Sequence, residues 1–148
     1  MKNDEFISKL QYDLKNERKH LAFYMHAAVM VRGINRKELK EFFEEEAQGE
    51  FKHVIEFSET IVYLGGNPDS EVNDFPRDLY EPEDILCYAS KMEFEVSHIY
   101  AGRLKELGVV RVSGSDSAVI SYLDIFYENQ LEDSWRAAQE ISQMVKSA

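Results

Sequence analysis

Glu50 and His53 are three positions apart, so on a helix they stand one turn from each other on a single face, a carboxylate and an imidazole able to reach the same ion. Glu50 lies three residues after Ala47 and four before Val54, which places the pair on an otherwise apolar stripe. Glu17 is framed in the same way by Leu14 and Leu21, and Glu93 by Ala89 and Val96. Gln130 follows Phe126 and precedes Ala137, with Asp133 one turn below it. A carboxylate taken out of water costs several kcal/mol, or becomes protonated, unless it is paired or bound to a metal. Three of them at one level cannot cancel one another, and no Lys or Arg shares their stripes. Divalent cations resolve the conflict: Glu17, Glu50 and Glu93 supply negative charge and His53 a neutral nitrogen, a donor set suited to iron, manganese or zinc. Glu50 is placed to bridge toward a second ion beside Glu93.

Each group taken alone has a plainer reading. A single Glu-x-x-His is common in acidic helices, and Glu17 alone reads as a solvated residue or a partner of Arg18. Asp133 is open between a role behind a ligand and a place at the edge of the core. Tyr24, two turns after Glu17, points at the same layer, where a tyrosine is ordinarily packing with a satisfied hydroxyl. The run Glu44-Glu45-Glu46 reads as a solvated face, and His20, His26 and His98 as surface or core histidines outside any comparable set. It is the coincidence of several such groups at mid-helix positions that favours metal.

Four long helices are needed to bring these positions together. Leu10, Leu14, Leu21, Tyr24, Ala28 and Val31 recur at helical spacing and predict a helix from about Asp4 to Arg32, followed by a reversal at Gly33-Ile34-Asn35. A second run from Leu39 to Leu64 stops at Gly65-Gly66-Asn67-Pro68. The third starts at Pro82 within an acidic first turn and continues to Gly108. The fourth opens at an N-cap, Ser115 or Asp116, and runs beyond Ile141. Val109 to Val112 is β-branched but too short and isolated for a sheet, so the fold class is all-α. The link from Gly65 to about Glu81 is long enough to cross the length of a four-helix bundle, which predicts one long crossover between helices 2 and 3 and the ferritin-like connectivity.

The chain has 148 residues, 44% of them hydrophobic with nine Phe and eight Tyr, which suits a single domain over 1–148 with its own core. Seventeen Lys and Arg against 28 Asp and Glu leave a formal charge of −11, which disfavours nucleic acid and favours cations as partners. A single cysteine, Cys87, excludes an internal disulfide or a Cys-rich metal site and fits a reducing, cytoplasmic location. The polar start Met1-Lys2-Asn3-Asp4-Glu5 and the lack of an apolar run of about 18 residues predict neither a signal peptide nor a membrane span.

Over essentially the whole chain, to the end of the fourth helix, these residues resemble the ferritin family. Asn16-Glu17 followed by Tyr24 is similar to its first-helix motif. Phe42-Phe43, Ala47-Gln48 and Glu50-x-x-His53 resemble the second, closing in Gly65-Gly66-x-Pro68. Glu93-x-x-Val96-Ser97 resembles the third, and Glu128 to Asp133 the fourth, where non-haem ferritins carry a glutamine and an acid three residues later. The resemblance implies a di-iron ferroxidase centre inside each subunit of a homo-oligomer, a closed cage being one form of it. That centre oxidises Fe(II) with dioxygen or hydrogen peroxide and passes Fe(III) to a stored mineral. By the same resemblance Glu17 and His53 bind the first iron, Glu50 bridges, Glu93 binds the second, and Gln130 hydrogen-bonds a ligand or water. Tyr24 hydrogen-bonds Glu93 and donates an electron. Gln130 with Asp133, or the neighbouring Glu128 and Glu132, completes the set.

Phe51 stands where bacterioferritins place the methionine that ligates haem, so no haem is expected. No fifth helix is expected after the fourth. Mini-ferritins share that feature but draw site histidines from the first helix, between subunits; ligands drawn from all four helices of one chain argue for a centre within the subunit. Two other readings stand beside this one. The first is a di-metal peroxidase or oxygenase on the same bundle, whose families usually carry a second Glu-x-x-His on the fourth helix. The other is a metal-free structural bundle.

Overall fold

The computed structural model describes residues 3–112 and 117–145. It contains four helices, α1 (Asn3–Met30), α2 (Arg36–Tyr63), α3 (Pro82–Val112) and α4 (Ser117–Val145), and no strand among the described residues. None of the helices is long and apolar enough to cross a membrane. The chain divides into two compact units, Lys2–Ile85 and Leu86–Ala148.

In the first unit α1 and α2 form an antiparallel hairpin. The first turn of α1 carries Asp4 and Glu5, whose charges complement its unpaired N–H groups. Its last turn has no basic residue, and the task of meeting the final carbonyls falls to Arg36, whose guanidinium donates to Val29 O at 3.0 Å and Val31 O at 2.5 Å. The reversal predicted at Gly33-Ile34-Asn35 is present, with Gly33 at φ 108°, in the left-handed region that favours glycine. The hairpin core is Leu10, Leu14, Phe23 and Tyr24 from α1 with Phe43, Phe57 and Ile61 from α2.

The end of α2 matches the predicted glycine stop. Gly65 takes φ 96°, and the N–H groups of Gly65 and Gly66 donate back to Val62 O and Ile61 O at 3.0 and 2.9 Å. Gly66 is also needed for space, since a Cβ there would lie 2.8 Å from Ile61 Cγ2 and 3.0 Å from Ile7 Cγ2. Gly66→Ala is therefore expected to lower stability by about 1–3 kcal/mol through overpacking, read as a lower midpoint in urea unfolding. An unchanged midpoint would mean that both isoleucines repack freely.

The segment after α2 returns along the whole of α1. Gln11 Nε2 donates to Asn67 O (2.7 Å) and Arg18 to Asp69 O (3.0 Å); further on, His26 Nε2 meets Arg77 O at 2.8 Å. At its end the N–H of Arg32 donates to Tyr80 O at 2.9 Å, and the Arg32 guanidinium lies over the Tyr80 ring. This is the long crossover predicted between helices 2 and 3. It delivers Pro82 to the end of the hairpin at which α2 begins.

In the second unit α3 and α4 form another antiparallel pair. Tyr100 packs on Tyr127 and Phe94 on Trp135, and Arg111 pairs with Asp124. The predicted end of the third helix at Gly108 is corrected: α3 continues through Gly108 to Val112. Gly108 does not take a positive φ and nothing crowds it, so it costs the helix only about 1 kcal/mol relative to alanine. Arg111 in the last turn favours the longer helix by complementing the negative C-terminal end. The predicted N-cap, Ser115 or Asp116, lies outside the described residues.

Candidate metal centre

The polar residues predicted on apolar stripes are buried. Glu17 is 2% exposed, Glu50 5%, His53 9%, Glu93 1% and Gln130 2%. The antiparallel register of the hairpin brings the first three together. His53 Nδ1 lies 3.1 Å from Glu17 Oε1 and 3.7 Å from Glu50 Oε1. Nδ1 either donates a proton to Glu17 or, deprotonated, turns its lone pair toward a cation that the two residues share. One donor atom from each of Glu17, Glu50 and His53 lies within 4.8 Å of the others. Ligands at about 2.0–2.2 Å from a common ion span at most about 4.4 Å, so small side-chain rotations close this set on a cation. Two carboxylates and an imidazole in a buried place are the hard and borderline donors that first-row divalent metals take.

Sequence reasoning missed a fourth member. His20, read as a histidine without a set, is fully buried, and its Nδ1 lies 3.7 Å from Glu50 Oε2. The signal was available: Glu17-x-x-His20 repeats on α1 the spacing of Glu50-x-x-His53 on α2. Because the helices are antiparallel, Glu17 faces His53 while His20 faces Glu50. Asp13, one turn before Glu17 and 1% exposed, was also missed, although it lies on the same stripe.

In the α3–α4 pair, Glu93 and Gln130 are held in register by two buried serines. Ser97 Oγ is 2.8 Å from Glu93 O and 3.1 Å from Ser134 Oγ, and Ser134 Oγ is 3.0 Å from Gln130 O. The backbone turns that carry the carboxylate and the amide are thus tied through one hydroxyl pair. Asp133 is not with them. It is exposed, as are Glu128 and Glu132, because the buried position one turn after Gln130 falls to Ser134. Of the fourth-helix residues expected at the centre, only Gln130 points inward. Tyr24 is fully buried in the hairpin, stacked on Phe43 at 6.3 Å and edge-on to Phe23 at 5.5 Å.

An all-α fold with a long second connection and mid-helix buried carboxylates defines the class of carboxylate-bearing helical bundles. A family model described as Ferritin-like domain matches residues 7–146, and the chain belongs to that family. Solved structures agree on the fold. A ferritin-like diiron-carboxylate protein from Bacillus anthracis is 27% identical, with 97% of each chain covered and a TM-score of 0.82. Dps from Staphylococcus aureus is 14% identical, with 99% of each chain covered and a TM-score of 0.83. A dodecameric thioferritin from Bacteroides fragilis is 18% identical, covering 97% of this chain and 90% of that one, with a TM-score of 0.66. The sequence has no significant match among curated proteins. The ferritin-like four-helix fold expected from the sequence is therefore the fold of this protein.

Proposed function

We propose that the chain is a single ferritin-like domain that oxidises Fe(II) at a dinuclear centre within the subunit and passes Fe(III) to a stored mineral. The observation that carries this reading is the buried cluster of Glu17, Glu50 and His53. Iron is here the substrate. Glu17 and His53 hold one Fe(II) and Glu50 is placed to bridge to a second; Glu93 as a further carboxylate and Gln130 as a hydrogen-bonding amide are the roles that the family resemblance implies. Two Fe(II) give up two electrons, which with two protons reduce one dioxygen to hydrogen peroxide; with peroxide as oxidant the same electrons give two waters. Hard carboxylate oxygens stabilise the Fe(III) product over Fe(II), which lowers the driving force needed from the oxidant. Tyr24, buried among Phe23 and Phe43, is a candidate electron donor in the same interior.

The relatives' descriptions as diiron-carboxylate and ferritin proteins support an iron-related role. The dodecameric Bacteroides fragilis relative supports a homo-oligomer. So does an apolar strip on α2, where Phe51, Ile55 and Val62 are exposed. A reducing cytoplasmic setting suits iron supplied as Fe(II). Anaerobic loading of metal-free protein with Fe(II), followed by oxygenation and near-ultraviolet absorbance, tests the reading. A break near about two Fe(II) per chain is expected. Oxidation no faster than in buffer, without a break, would overturn it. Light scattering on the eluted protein tests assembly: a monomer would remove the storage shell and leave the oxidase.

A further inference from the structure

We propose that His20 is a metal ligand, so that the α1–α2 hairpin presents a two-carboxylate, two-imidazole set, Glu17, His20, Glu50 and His53, to divalent transition cations. This rests on the metal centre proposed above and extends it by a nitrogen donor from the first helix. Glu50 is the pivot. Its Oε1 is 3.7 Å from His53 Nδ1 and its Oε2 is 3.7 Å from His20 Nδ1, so the two oxygens of one carboxylate face two different imidazoles. A separation of 3.7 Å is too long for a hydrogen bond. It is the spacing of two donors bound at about 2.1 Å to one ion, with an angle of about 120° between them. The imidazole of His20 is fully buried, so its Nδ1 faces Glu50 out of contact with solvent.

The sequence supports the same assignment independently. Glu-x-x-His occurs once on each of the two hairpin helices, buried in both, and the antiparallel register matches the carboxylate of each motif to the imidazole of the other; the third copy, Glu95-x-x-His98 on α3, is exposed. Each imidazole therefore stands beside one oxygen of the bridging carboxylate. A second nitrogen shifts the set from mostly oxygen toward the mixed donors that favour late first-row metals, so Co(II) and Zn(II) are expected to bind more tightly than Mn(II).

Proton NMR of the full chain loaded with Co(II), in a background carrying His26→Gln and His98→Gln, tests the proposal. His20 and His53 are then the only imidazoles left. Two strongly shifted imidazole N–H resonances that disappear in D2O are expected. His20→Gln should remove one of them and weaken Co(II) binding at least about tenfold, with the helical circular dichroism unchanged. One such resonance in the parent, with Co(II) bound, would overturn the assignment of His20 and leave the centre standing; this outcome is read without any His20 variant. Failure of the parent to bind Co(II) at all would overturn both the assignment and the centre.

Discussion

Glu50→Gln is expected to reduce the initial rate of Fe(II) oxidation by at least about 100-fold while leaving the helical content intact. The substitution keeps the volume of the side chain and removes its charge and one acceptor oxygen. Each oxygen of Glu50 faces a different imidazole, His53 on one side and His20 on the other. Replacing a group that merely orients a metal ligand typically costs 10–100-fold, and a carboxylate that joins two metal positions should cost more. The fold does not depend on it, because the hairpin core of Leu10, Leu14, Phe43, Phe57 and Ile61 lies on neighbouring turns. Glu44→Gln is the matched control: Glu44 is exposed on the same helix and pairs with Lys40 at 2.7 Å, an interaction worth little in water. Stopped-flow absorbance separates the two variants. A Glu50→Gln protein that oxidises iron at the parental rate would remove Glu50 from the centre.

The second large effect is on stability. Metal-free protein keeps Glu17 and Glu50 buried in one cluster, where their like charges oppose each other across the His53 imidazole. A cation that binds the folded chain alone should stabilise it by about 2.7 kcal/mol at a free concentration one hundred times its Kd. For a chain of this size that corresponds to a rise in Tm of roughly 5–11 °C. Zn(II) and Co(II) are suitable probes because neither is oxidised by air under these conditions. The rise should be reversed by EDTA and largely lost in Glu17→Gln. Melting that is indifferent to both cations would mean that the carboxylates are satisfied inside the fold without metal, as in the structural-bundle reading.

Much of this molecule was legible in one dimension. Helical periodicity placed all four helices, because an amphipathic helix must repeat its apolar residues at the spacing of its turns whatever it packs against. Gly33 and Gly65 marked two ends, since both occupy backbone conformations that other residues adopt at a cost. The burial of Glu17, Glu50, His53, Glu93 and Gln130 was readable for the same reason: a polar residue on a core-facing stripe goes inside with the stripe. Local signals were weaker. Gly108 looked like a stop, yet α3 passes through it, because a glycine in a helix costs less than a further turn of helix and the Arg111–Asp124 pair contribute.

What only the tertiary structure decided is which of the inward-facing groups meet. Periodicity states a face but not the register between two helices, and register is set by how far the Gly33 turn offsets α2 against α1. That offset places His53 beside Glu17 and, with it, His20 beside Glu50. The Glu17-x-x-His20 spacing was legible, but it states only a shared face; the partner that gives His20 its significance, Glu50, lies thirty positions away, and no local spacing encodes that pairing. Asp133 shows the converse, since a three-residue spacing from Gln130 suggested a shared face, whereas packing of α4 on α3 took Ser134 inside to meet Ser97 and left Asp133 exposed. The sequence determined the helices, their buried faces and the type of donors those faces carry. The packing of one helix on another decided which donors share a site, because distances of 3–4 Å between side chains on different helices are set by interlocking neighbours across the interface and not by neighbours along the chain.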